Sequence, residues 1–495
     1  MTPLLVLGLA VGCGLQPHAP DSDGDPSPET DTDTDADTDS DTDVERAACD
    51  EPGAIHVMTT GSDLPECGDP EAPCRTITHA VGLSREGDAV CVHAGTYSES
   101  WIQLVGGTSL ISADGPLEAR IYSGTSSALR IDGVDDVLID GFEVYGDWGQ
   151  GPAGDGLVRV MDAHGVTIRD SMVHDAPYDQ DCIKVSGEVR DLLIDGVVVY
   201  DPSLRSDGTM YQENIDIFGA GVNPSDPPPV GDVVVRNSWL FHSAERGGDY
   251  LIYAKVKVEN VLLENNVFGP SGGRGNPAVS IGNNQPGQPD PHAAVMTNAI
   301  VRNNVFVGLQ GDGAFAVQNA ENTWLYNNTF YGNGGALLRS IILFRANTHA
   351  VGDTRVFNNV FVRNQPTKAG ALFYWVRDGG TPTTWWHDHN LYFGNVGSSD
   401  LSYTDEPNGI YDEDPVLVDP GRLDLSDPHV DRIAELRQRF ALDAGSPAIG
   451  AGIDAVGEAG HPDWEPGITD RRWDFEGDER PAGAAWDLGA DQILQ

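Results

Sequence analysis

Lysine is scarce in this chain, which has four, Lys184, Lys255, Lys257 and Lys368, against 77 acidic residues and a formal net charge of −48. Three of the four fall between residues 184 and 257. Asp181, Glu213, Asp216 and Asp249 occupy the same stretch, with Glu245, Arg246, Tyr250, Tyr253 and Trp239 beside them. Together these residue types suit β-elimination on a uronate polysaccharide. Carboxylates hold Ca2+, the cation and an arginine neutralise the sugar carboxylate, and a lysine or arginine removes the proton α to it. A lysine acts as base only where burial and neighbouring positive charge lower its pKa. The candidates are therefore Lys255, Lys184 and Arg246 for catalysis, Asp181, Glu213, Asp216 and Asp249 for a metal, and Tyr253, Tyr250 and Trp239 for sugar stacking.

Two other readings use the same residues. Asp181 with Glu213 would hydrolyse a glycosidic bond as acid and base if separated by about 5 to 9 Å. Alternatively the face binds a glycan without turnover, and a lysine beside an aspartate is then a cross-strand ion pair worth about 0.2–1 kcal/mol. Binding of a polysaccharide or surface glycan is the primary reading, with lyase and hydrolase activity as alternatives. Nucleic acid is excluded as a partner, because a phosphate-binding face needs a basic stripe and the sequence pI is about 4.2.

What must position these residues is a set of short strands. CIKVSG (182–187), NIDIFG (214–219), PAVSIG (277–282) and AFAVQN (314–319) alternate apolar and polar residues with period two. With Ile183, Val185, Ile215, Ile217, Ile252, Ala254, Val279 and Ile281 inward, Lys184, Asp216, Tyr253 and Ser280 lie outward on adjacent strands, about 4.8 Å apart. A second motif recurs between them: LLENNVF (262–268), IVRNNVF (300–306), WLYNNTF (324–330), RVFNNVF (355–361) and DHNLYF (388–393). Repeats this short cannot bury an apolar face alone, so they stack as a solenoid. Asn265, Asn303, Asn327, Asn358 and Asn390 are expected to form an axial amide ladder, and Phe268, Phe306, Phe330, Phe361 and Phe393 an interior stack.

This organisation resembles the right-handed parallel β-helix superfamily, shared by pectate-lyase-like enzymes and many surface proteins, over residues 54–395. The resemblance implies an all-β solenoid expected to be monomeric. In lyases of this fold a lysine is the base, a role carried here to Lys255 or Lys184. The segment RTITHAVGL followed by GDAVCVHAGTY (75–97) resembles the N-terminal cap of such proteins, an amphipathic helix plugging the open first coil. DEDPVLVDP, AGSPAIGAG, DFEGDERP and WDLGADQ (412–492) resemble the segment that often follows bacterial β-helices, and are expected to cover the last coil.

The chain divides into an apolar leader (1–20), an Asp/Thr-rich linker (21–48), an N-terminal cap (49–95), the β-helix (96–395) and a C-terminal cap (396–495). The linker has too little apolar surface to collapse and repels itself into a tether, with solvated acidic residues favoured over a calcium loop. Cys67 and Cys74 flank a loop that a disulfide would close, Cys49 is within reach of Cys91, and Cys182 is left over. Ala10-Val11-Gly12-Cys13 resembles a lipobox, which implies a lipidated Cys13, an outer-membrane lipoprotein and an extracellular or cell-surface location; an ordinary secretory signal is the alternative. On the lipobox reading, Cys13→Ala moves the protein from the membrane fraction to the soluble one. Unchanged fractionation contradicts the anchor.

Overall fold

A computed structural model describes residues 47–203, 212–219, 228–244, 246–272, 276–282, 296–335, 337–346, 350–367, 372–396, 406–462, 464 and 472–493. Cys13, the linker 21–45, Glu245, Lys368 and the stretches 224–227 and 284–291 lie outside the described residues.

The described chain is a right-handed parallel β-helix. Each coil passes through three parallel sheets. The first sheet runs from Ile55–Val57 and Ala89–Val92 to Asp353–Phe357 and Thr384–Asp388, and the second from Gly95–Ser98 to Leu391–Phe393 and Ile410–Tyr411. The third sheet contains Ile102–Gln103, Leu129–Asp132, Ile215–Phe218, Ile252–Lys255, Val279–Ile281, Phe315–Gln318, Ser340–Arg345 and Leu372–Arg377. Gly156–Arg169 and Asp181–Asp195 are long enough to cross from the third sheet into the first of the next coil. The inward residues Ile183, Val185, Ile215, Ile217, Ile252, Ala254, Val279 and Ile281 are all fully buried in one continuous core. The helix Ile77–Leu83, N-capped by Thr76, buries Ile77, Ala80 and Val81 in that core and closes its first coil. Both expected disulfides form, Cys49–Cys91 and Cys67–Cys74, and Cys182 is free and buried.

The ladder is built from the second asparagine of each pair. Asn266, Asn304, Asn328, Asn359 and Asn390 are fully buried, and the side-chain oxygen of each of the last four accepts both a backbone and a side-chain N–H from the member before it, at 2.9–3.0 Å. Glu406 ends the series by accepting from Asn390 through both carboxylate oxygens. The first asparagines, Asn265, Asn303, Asn327 and Asn358, instead take left-handed φ values of 52–57° at the corner, a conformation asparagine tolerates better than most residues. Only Asn390 of the expected set is in the ladder. A second ladder, Asn333, Asn364 and Asn395, supports another corner. The aromatic stack runs Phe268, Phe306, Phe330, Phe361 and then Tyr392, whose ring lies 5.2 Å from Phe361; Phe393 pairs with Val362 one residue out of line.

The C-terminal segment does more than close the last coil. After Ile410–Tyr411 pairs with Leu391–Tyr392, it runs back along the coils and covers the outer face of the second sheet. Ile433, Leu436, Phe440 and Leu488 pack there with Trp239, Phe241, Val267, Val305 and Val360. Amides of the left-handed asparagines anchor it: Asn303 donates to Trp473 O, Asn327 to Asp487 O and Asn358 to Ile453 O, at 2.7–2.8 Å.

Removing a ladder carboxamide orphans buried donors, each costing about 1–3 kcal/mol. Asn328→Ala should therefore lower unfolding free energy in a denaturant titration by at least about 2 kcal/mol. Asn265→Gly, which keeps the turn, should cost no more than about 1 kcal/mol. Equal losses at the two sites would contradict the assignment of the ladder.

Candidate functional site

Parallel register on the third sheet sets the site. Lys184 pairs with Asp216, Asp216 with Tyr253 and Tyr253 with Ser280, so the expected outward column exists. Lys255 stands in the neighbouring outward column, in register with Phe218. The two lysines converge on one carboxylate. Lys184 Nζ contacts Asp216 Oδ2 and lies 3.2 Å from Asp181 Oδ2, while Lys255 Nζ lies 3.0 Å from Asp216 Oδ2 and 3.5 Å from Glu213 Oε1. Both ammonium groups lie over the Phe218 ring, at 5.7 and 5.8 Å, and Lys255 lies 4.5 Å from the Tyr253 centroid. The cluster meets solvent chiefly through Lys184, whose side chain is 19% exposed; that of Asp216 is 1% exposed.

Burial is the largest influence on each lysine and acts to lower its pKa. The carboxylates outweigh it: Asp181 and Asp216 raise Lys184, and Glu213, Asp216 and Asp181 raise Lys255. This is the reverse of what a proton-abstracting lysine needs. Burial also pushes Glu213 well up, reinforced by Asp181 and Asp216 against the pull of Lys255. Asp181 goes the other way, its burial overcome by Lys184 and by a hydrogen bond from Glu213. One carboxylate oxygen each of Asp181, Glu213 and Asp216 lies within 4.8 Å of the others.

As a metal site the trio does fit. Asp181, Glu213 and Asp216 offer hard oxygen donors, and buried Asp216 Oδ1 has no hydrogen-bond partner among the described residues. This donor type suits Ca2+. Asp249 stands outside the trio and accepts from Asn276 Nδ2 at 2.7 Å.

The remaining candidates are placed elsewhere. Arg246 pairs with Asp175 and lies over the Trp148 ring at 5.3 Å, on a different corner from the lysines. Trp239 is fully buried beneath the C-terminal segment and donates its ring N–H to Gly269 O at 3.0 Å, so it presents no stacking surface. Tyr250 and Tyr253 stack on each other at 4.0 Å and are 5% exposed apiece, which spends their faces on packing.

Sequence reasoning missed the cations that continue the column. Arg159 is in register with Lys184, and Arg130 with Arg159. Arg130 and Arg159 share Asp132, and Arg159 also reaches Asp155 at 2.8 Å. The signal was available, since LRID (129–132) and LVRV (157–160) carry the same inward–outward alternation as CIKV (182–185). Phe218 has the same outward parity as Asp216.

No protein-family model matches the chain, and no curated protein matches it. Similar solved structures include a pectate lyase (15% identity, 89% of this chain and 97% of the other, TM-score 0.47) and a rhamnogalacturonan lyase (13%, 71% and 90%, 0.44). A surface adhesin of Streptococcus pneumoniae is also similar (14%, 64% and 86%, 0.40). These likenesses are of backbone architecture and assign no residue a role.

Two buried groups give opposite pH dependences. Glu213 has a folded pKa above its unfolded value of about 4.3, so its contribution is complete below that value and is lost as pH rises. Burial lowers His242, neither of whose ring nitrogens has a hydrogen-bond partner among the described residues, to about 3. Its contribution is complete above about 6.5 and is lost as pH falls. Glu213→Gln should flatten the alkaline-going decline and His242→Leu the acid-going one, each by up to about 1.4 kcal/mol per pH unit. Unfolding titrations across pH 4–8 check this, and unchanged slopes in both variants contradict it.

Proposed function

We propose that the chain is an exported, non-catalytic glycan-binding β-helix whose third sheet carries a linear acidic polysaccharide along the column Arg130, Arg159 and Lys184. The observation that carries this reading is the register: three cations on consecutive coils, with Lys255 beside them, in a chain of net charge −48. Each cation is already paired with a carboxylate, so the strip is charge-balanced within a repelling surface, and an anionic chain meets its repulsion only within about a Debye length, roughly 8 Å at physiological salt. Export is supported by the two disulfides, which persist in oxidising compartments. On this reading the 21–48 tract is a tether behind a lipidated Cys13.

A second reading, calcium-dependent β-elimination of a uronate polymer, is favoured by one observation, the acidic trio with its unpartnered Asp216 oxygen. Bound Ca2+ would neutralise a substrate carboxylate and make the adjacent proton more acidic. Asp181, Glu213 and Asp216 would hold it. Lys184 and Lys255 would then lose their counter-ions and gain a neighbouring positive charge, which drives an ammonium pKa down toward the range of a base.

Affinity electrophoresis in polygalacturonate and in alginate, with and without Ca2+, separates the readings. Binding is expected to fall about tenfold in Arg159→Ala and in Lys184→Ala, the loss of one charge-assisted hydrogen bond. Failure of the wild type to bind either polymer overturns the proposal. Calcium-dependent ultraviolet absorbance of unsaturated uronate, lost in Lys255→Ala, replaces it with the lyase reading.

A further inference from the structure

We infer that Trp101 and Arg130 form a distal subsite for the same acidic chain, an inference that rests on the third-sheet reading above. Trp101 is 50% exposed and holds a left-handed backbone, φ 59°. A large side chain is an outlier there, and such a conformation persists only where its surroundings fix it. Here they do: Trp101 N donates to Ser127 O at 2.9 Å, and the next two residues pair with Leu129 and Arg130.

The ring is backed by charge. Arg130 Cζ lies 5.1 Å from the indole centroid, and Asp132 holds the guanidinium from the other side, accepting from Arg130 Nε at 2.7 Å. Asp132 Oδ1 also lies 3.1 Å from Arg159 Nε, which places the ring and both guanidinium groups in one charge cluster. An exposed indole offers an apolar plane to the C–H face of a pyranose, and Arg130, whose Nε and Nη2 edge is held by Asp132, backs that plane. The pair thus suits one pyranose residue of that chain.

Register gives the spacing. Gln103 pairs with Arg130, Arg130 with Arg159 and Arg159 with Lys184, so three rungs, about 14 Å, separate the Trp101 coil from Lys184. Only an oligosaccharide of several residues reaches both. The subsite therefore selects for chain length, and a disaccharide engages one end or the other.

Isothermal titration with disaccharides and octasaccharides of galacturonate and of mannuronate tests this on the full chain. Trp101→Ala should weaken octasaccharide binding about five- to tenfold and leave disaccharide binding at Lys184 unchanged; Trp101→Phe should restore most of the loss. Trp101→Gly accommodates the left-handed backbone, so its melting temperature should equal or exceed that of the wild type while octasaccharide affinity still falls. Octasaccharide affinity unchanged in Trp101→Gly, with Lys184→Ala weakened, overturns the subsite and leaves the third-sheet reading standing. No octasaccharide binding by the wild type overturns both.

Discussion

Every structural feature of this chain depends on backbone pairing between successive coils at a fixed register. A single coil has no second layer against which to bury its apolar residues, so coils are stable only as a stack. Pairing fixes which residues share a column, and period two fixes which side of the sheet they face. At the corners, where strand pairing is interrupted, buried carboxamides continue it. Asn266, Asn304, Asn328, Asn359 and Asn390 form one series, and Asn333, Asn364 and Asn395 form another. The column Arg130, Arg159, Lys184 and Asp216 is a consequence of that register.

The electrostatics follow from the same geometry. Two ammonium groups, Asp181 and Glu213 surround Asp216, and each group is tuned by burial against its neighbours. Removing one partner from such a cluster leaves an uncompensated buried charge, which costs about 3–5 kcal/mol. That makes the cluster conformationally stiff. It also makes its lysines poor bases for as long as their carboxylates stay uncommitted to a cation.

Much of this was legible in the sequence because alternation is a local property. The outward column Lys184, Asp216, Tyr253 and Ser280 follows from counting parity within short strands, and the helix at 77–83 from its apolar spacing. The errors arose where parity is silent. In an Asn-Asn pair nothing local says which residue takes the left-handed corner, so the ladder was placed one residue early except at Asn390. Tyr392 replaced Phe393 in the stack because the last cell, DHNLYF, is offset by one residue. Trp239 is hidden by residues nearly 200 positions downstream, and Arg246 is drawn to Asp175 at another corner; tertiary contacts of that range have no local signature. The raised lysine pKas depend on the balance between burial and three carboxylates, which a sequence cannot weigh.

The central claim, that an acidic glycan lies along the third sheet, is tested most directly by oxidative footprinting with mass spectrometry. Met161 sits on that face, its sulfur 2.9 Å from an Arg159 nitrogen. Trp473, 50% exposed on the C-terminal segment, serves as the control. Saturating polygalacturonate or alginate should slow oxidation of Met161 and leave Trp473 unchanged. Protection of Trp473 with Met161 unaffected would place the glycan on the opposite flank and contradict the account.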